Sequence, residues 1–187
     1  MFANTLTKAW LLASCCLALA AAQFQSVALT EGTLKGTLES KVTSADPNAN
    51  GQDTITIRFT YPGTAWVGVG VNPTGGMVNA QVVIGKPDDD TVLKYGISAQ
   101  GINNIVEAPN QTLINTSLQQ VDENTILTFT KILDESGEYT IEAGAVNTFV
   151  AAFGSTNTFG YHAGRGIQAV NVPAATPATP DAPGMSF

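Results

Sequence analysis

Thiols are scarce in this chain, and both sit where they are not retained. Cys15 and Cys16 are its only cysteines, inside an apolar N-terminal segment. Residues 1–22 have the layout of a secretory signal. Lys8 supplies the positive end, residues 10–22 are uncharged, and Ala20, Ala21 and Ala22 suit the small-residue cleavage rule, with Gln23 the expected mature start. The run is shorter than the about 20 residues that a spanning helix takes. It also continues well past Cys15, which favours ordinary cleavage over lipid attachment at the Leu12-Ala13-Ser14-Cys15 box. The expected product is a secreted domain with no disulfide, no thiolate metal site and no cysteine nucleophile.

Histidine is scarcer still: His162 is the only one. A Ser-His-Asp triad would have to use it, and no serine lies in a nucleophile elbow. Zinc sites usually take several His or Cys ligands, and blue copper takes two His and a Cys. Positive charge is short as well. Once Lys8 is removed, seven Lys and Arg face 15 Asp and Glu, a formal charge of −8. Such a surface argues against nucleic acid and anionic membranes as partners. No membrane insertion is expected after the signal.

What is present is a β pattern. Leu34, Gly36, Leu38 and Ser40 alternate with charged and polar neighbours, and Ile55, Ile57, Phe59 and Tyr61 alternate with Thr54, Thr56, Arg58 and Thr60. Residues 66–71 and 80–84 are near-continuous apolar runs, as buried strands require. Further strands are expected at 91–97, near Ile105 and Leu113, and at 125–133, 139–143, 145–153 and 167–172. No long amphipathic helix stands out. Many short strands with turn signals between them predict an all-β antiparallel sandwich or barrel. From Pro173 the composition turns to Pro, Ala and Thr, so 173–187 reads as a linker or disordered tail. The folded domain is expected over about residues 25–172.

Several motifs carry little. Gly68-Val69-Gly70 begins a dinucleotide-like pattern, but it lies within a strand and reads as close packing. Asp134, Glu135 and Glu138, and Asp88 to Asp90, read as solvated turns rather than paired catalytic carboxylates. Asn110 and Asn115 head sequons that are glycosylation acceptors if the host is eukaryotic. Haem is left by elimination. There is no CxxCH, so it would be held non-covalently. Haem iron accepts His and Met as axial ligands. Met1 leaves with the signal and Met185 lies in the tail, so a His/Met site within the chain would pair His162 with Met77. Residue types alone leave this open: a Met beside a strand also fits core filler, and a His in a glycine-rich loop also fits a solvated position.

The wording around these residues narrows the choice. WVGVGVNPTGGMVNAQ (residues 66–81), followed far downstream by YHAGRG (161–166), resembles the DOMON domain. The likeness is to plant-type DOMON modules, alone or ahead of a transmembrane b-type cytochrome, and to the cytochrome domain of fungal cellobiose dehydrogenase. It covers about residues 27–172. The resemblance implies an immunoglobulin-like β-sandwich with haem b in an apolar pocket at one end, and Met77 and His162 as axial ligands. It implies one-electron transfer outside the cytoplasm, by an electron-transfer domain rather than an enzyme.

Under that resemblance Arg165 would pair with a haem propionate or stay a surface charge, Tyr161 would flank the haem or pack, and Trp66 would be core. Partners would be a redox protein or a small reductant such as ascorbate, or a membrane cytochrome or oxidase. The alternative is a haem-free extracellular module binding carbohydrate or another small ligand, since the family includes such members. The tail also suits the front end of a longer membrane reductase. One departure is the lack of cysteines where some relatives carry a disulfide.

Overall fold

The computed structural model describes residues 23–178. The expected secretory segment, residues 1–22, and the tail beyond 178 lie outside the described residues. In chain order the first strands are β1 (Gln25–Leu29), β2 (Gly36–Asp46), β3 (Gln52–Tyr61), β4 (Val67–Val71), β5 (Gln81–Lys86) and β6 (Thr91–Ile97). There follow β7 (Ile105–Glu107), β8 (Ile114–Val121), β9 (Asn124–Ile132), β10 (Val146–Phe153), β11 (Gly164–Asn171) and β12 (Thr176–Pro177). One sheet has the order β1-β2-β3-β9-β8, with β12 beside β2; the other has the order β11-β10-β4-β5-β6-β7. All pairings are antiparallel except that of β12 with β2. The chain is an all-β, two-sheet sandwich. No helix among the described residues is long and apolar enough to cross a membrane.

The core follows from period-2 alternation. β3 buries Ile55, Ile57 and Phe59 and turns Thr56, Arg58 and Thr60 away from them, as the pleat requires. Leu127 and Phe129 of β9 join them. The second sheet answers with Val67, Val69 and Val71 of β4 and Phe149, Ala151 and Phe153 of β10. Each large aliphatic or aromatic side chain buried in this way is worth about 1.5–3 kcal/mol.

Three expectations change. Residues 139–143 are not a strand; they belong to the connection that carries the chain from one sheet to the other. Gln81 Oε1 accepts the Tyr139 N–H, and the Ile141 N–H bonds to the Leu133 carbonyl while its side chain enters the core. These long-range contacts occupy the backbone groups that a ladder would use. The segment read as a tail from 173 continues as structure through β12, which completes the edge of β2 beyond the reach of β1.

Nor are Glu135 and Glu138 solvated. They are 13% and 16% exposed and turn inward to Lys94 of β6 and Lys131 of β9, themselves 5% and 8% exposed. Lys94 Nζ lies 3.0 Å from Glu135 and also bonds Glu138, and Lys131 Nζ lies 3.0 Å from the other Glu138 oxygen. Two ammonium groups and two carboxylates cancel inside the sandwich, which is what makes burying them tolerable.

Candidate functional site

β4 reads Val-Gly-Val-Gly-Val. Its valines face the sandwich core, so its glycines fall on the outer face of the second sheet. A solvated sheet face would be polar, and this one is not. Trp66, Ala80, Val82, Ile84, Tyr95, Ile97, Val150 and Ala152 form a second apolar cluster there, and Met77, Leu93, Ile105 and Phe159 pack on it. A cleft of about 200 Å³ lies over this face, bounded by residues from the 72–80, 98–105 and 154–163 connections. The cleft lies on a sheet face, whereas the resemblance implied a haem pocket at one end of the sandwich. Of the two β4 glycines, Gly68 is the one that lines the cleft. Gly68 lines the floor, where an added Cβ would come within 3.3 Å of Ile84 Cγ1.

Met77 reaches the cleft from the connection after β4. Asn72, fully buried at 0% exposed, organises that connection. Its amide nitrogen donates to the carbonyls of Gly75 (3.3 Å), Gly76 (2.9 Å) and Val78 (2.9 Å). Its Oδ1 accepts from the Thr74 N–H (3.1 Å) and hydroxyl (2.8 Å). Gly75 and Gly76 take φ of 73° and 92°, values that L side chains rarely adopt. The far end is fixed where the Asn79 N–H donates to the Ile97 carbonyl at 2.6 Å. Asn72 drew no functional reading from the sequence. The available signal was an Asn with a hydroxyl residue two positions on, the signature of an Asx turn.

His162 arrives from the other direction. It precedes Gly164, which pairs with Phe153, which pairs with Val67 at the start of β4. Met77 follows Val71 at the end of the same strand. Both side chains line the cleft, so they converge on it from opposite ends of β4.

The His162 connection is held at several points. The Ala163 N–H donates to Phe153 O at 2.8 Å. Thr158 donates to Asp88 at 2.7 Å, Gln120 donates to Asn157 at 2.7 Å, and Lys86 sits 4.7 Å from the ring centres of both Tyr95 and Phe159. Trp66 meets Phe159 edge to face at 5.0 Å. Trp66 is buried as expected, but on the outer face, where it lines the cleft.

Tyr161, 76% exposed, stands at the rim with its ring 5.4 Å from the imidazole. Arg165 also lines the cleft. Its backbone is bound to Thr33 in both directions, by N–H to Oγ1 at 3.0 Å and by the carbonyl at 3.3 Å. Its guanidinium has no carboxylate partner among the described residues. Thus Met77, His162, Arg165 and Tyr161 are brought to one cleft. Asn110 and Asn115 are both on the surface, the latter within β8.

The donor set is one thioether and one imidazole on apolar walls, with a cation beside them. No three His, Cys, Asp or Glu side chains among the described residues gather as a metal cluster. The pair fits a metal already held by a macrocycle, which needs only axial ligands from the protein.

Comparison with known proteins agrees on the architecture. The fold is similar to the cytochrome domain of Myriococcum thermophilum cellobiose dehydrogenase, with 17% identity, a TM-score of 0.50, and 82% of this chain and 85% of that chain covered. The cytochrome b domain of pyranose dehydrogenase from Coprinopsis cinerea matches with 14% identity and a TM-score of 0.47, over 78% of this chain and 88% of that chain. The DOMON domain family model matches residues 39–154, which includes Met77 and stops short of His162. That match spans more than half of the chain, and the chain belongs to the DOMON domain family.

Proposed function

We propose that this protein is a secreted b-type cytochrome domain that performs one-electron transfer through a non-covalently held haem. The observation that carries the reading is the convergence of Met77 and His162 on one apolar cleft from opposite ends of β4. Haem bound there would supply reversible one-electron chemistry at iron. Met77, through its thioether, and His162, through a ring nitrogen, would hold the iron. Thioether ligation favours the reduced metal and raises the potential.

The remaining residues bind and shield. Val82, Ile84, Val150 and Ala152 exclude water from the floor, and low polarity there strengthens every electrostatic interaction nearby. Arg165 supplies a charge-assisted donor for a propionate. The cleft opens to solvent beside the exposed residues Val78, Ile102 and Tyr161, an arrangement that suits exchange of electrons with a redox protein or a small reductant such as ascorbate. The cellobiose dehydrogenase cytochrome domain shares the fold, and the functional reading rests on this chain's own cleft.

The test is an absorption spectrum of the secreted protein, produced with haem available, before and after dithionite. A sharp reduced α-band and a shifted Soret band, both indifferent to carbon monoxide, are expected. A featureless spectrum after haem reconstitution would sink the proposal and return the cleft to the haem-free, small-ligand reading.

A further inference from the structure

We infer that Asn72 is the positioning residue for the Met77 ligand, and that it sets the Met77 side of the cleft before any cofactor arrives. This rests on the haem reading above. Three features of Asn72 combine. It is rooted in the sheet, because its backbone N–H donates to Thr148 O at 3.1 Å and its side chain is wholly buried. Its amide hydrogens are shared among three carbonyls, and two of these, Gly76 and Val78, immediately flank Met77. All its bonds run to protein groups, so none waits for a ligand.

The opposite wall differs. Neither ring nitrogen of His162 is hydrogen-bonded among the described residues; its connection is held through neighbouring residues, by Thr158 on Asp88, Gln120 on Asn157 and the Ala163 N–H on Phe153 O. Asn72 thus fixes the backbone on both sides of Met77, and no comparable side-chain clamp holds His162 among the described residues.

Asn72→Asp tests this with little change of shape. It keeps Oδ1 as the acceptor for Thr74 but turns a carboxylate oxygen toward the Gly76 and Val78 carbonyls, which repels them. Wild-type ferrous protein is expected to ignore carbon monoxide. The variant is expected to bind it, with weakened low-spin bands. Its haem affinity should fall about 10- to 100-fold, as for other residues that orient metal ligands. In the cofactor-free protein, amide exchange across residues 73–79 should rise in the variant while strands β3 and β9 stay protected.

Thr74→Val, at an exposed position, removes one bond into Asn72 without disturbing the core. It should move both readouts in the same direction by a smaller amount. A merely structural role predicts lower melting temperatures with a six-coordinate spectrum inert to carbon monoxide, and that result in folded Asn72→Asp overturns the inference. Unchanged exchange in the cofactor-free variant overturns it as well. If Met77→Ala leaves the wild-type spectrum and its inertness to carbon monoxide unaltered, the cytochrome reading itself fails, and the role of Asn72 goes with it.

Discussion

Lys94 of β6 and Glu138 of the connection between β9 and β10 form an ion pair inside the sandwich, and Lys131 of β9 holds the second Glu138 oxygen at 3.0 Å. Burial by itself raises the Glu138 pKa. The hydrogen bond from Lys94 and the charge of Lys131 outweigh it, and the carboxyl is held below its ordinary value. A depressed folded pKa contributes stability that is fully present above the unfolded value, about 4.3 for a glutamate. It is lost as pH falls through the lower folded value. Glu138→Ala removes one partner of a buried pair and is expected to cost about 3–5 kcal/mol near neutral pH. Urea unfolding at pH 7 and again near pH 3 checks the sign: the gap between wild type and variant should narrow at the lower pH.

A single methyl group should disturb the His162 side of the cleft. A Cβ at Gly154 would lie 2.2 Å from Trp66 Nε1 and 2.4 Å from its Cδ1. The indole is packed against Phe159 and the sheet, so it cannot simply swing aside. Gly154→Ala should cost about 1–3 kcal/mol, the usual range for an overfilled core. Trp66 is the lone tryptophan after residue 22. Its emission then reports the displacement directly, and a wild-type emission maximum with wild-type stability would contradict the geometry.

The two axial candidates should fail differently. His162→Ala removes the only imidazole, and haem should be lost or held loosely. Met77→Ala leaves the imidazole in place, so haem stays, becomes five-coordinate and binds carbon monoxide. Arg165→Gln should leave stability within about 0.5 kcal/mol, as for surface substitutions away from special features, and lower haem affinity in a salt-dependent way. Titration of haem into the three cofactor-free variants separates these outcomes. Equal behaviour of Met77→Ala and His162→Ala would argue against distinct roles for the two residues.

Local chemistry made some of this legible and long-range contacts hid the rest. β3 announces itself because its buried residues alternate strictly. The apolar runs at 66–71 and 80–84 announce strands covered on both faces. Met77 and His162 stand out as residue types and through the family resemblance. Their convergence depends on the register that links β4, β10 and β11, which no local period encodes. Residues 139–143 look like a strand because Tyr139 and Ile141 alternate, yet Gln81, 58 positions away, takes the Tyr139 N–H. Lys94 looks outward-facing because it is charged. The carboxylates that let it turn inward come 41 and 44 residues later.

Two glycines in one strand should separate fold from function. A Cβ at Gly70 would lie 2.0 Å from Gln81 O and 2.5 Å from Val82 Cα, both backbone atoms of the paired strand. Neither can yield without opening the β4–β5 ladder, so Gly70→Ala should destabilise the protein by about 1–3 kcal/mol or more. At Gly68 the nearest atom is Ile84 Cγ1 at 3.3 Å, part of a side chain that can shift by a few tenths of an ångström. Gly68→Ala should fold with near-normal stability and place its methyl group on the cleft floor. Melting curves should then single out Gly70→Ala, and haem titration should show weakened binding in Gly68→Ala. A Gly68→Ala protein that folds and binds haem as wild type does would mean that the floor of this cleft is not where the cofactor rests.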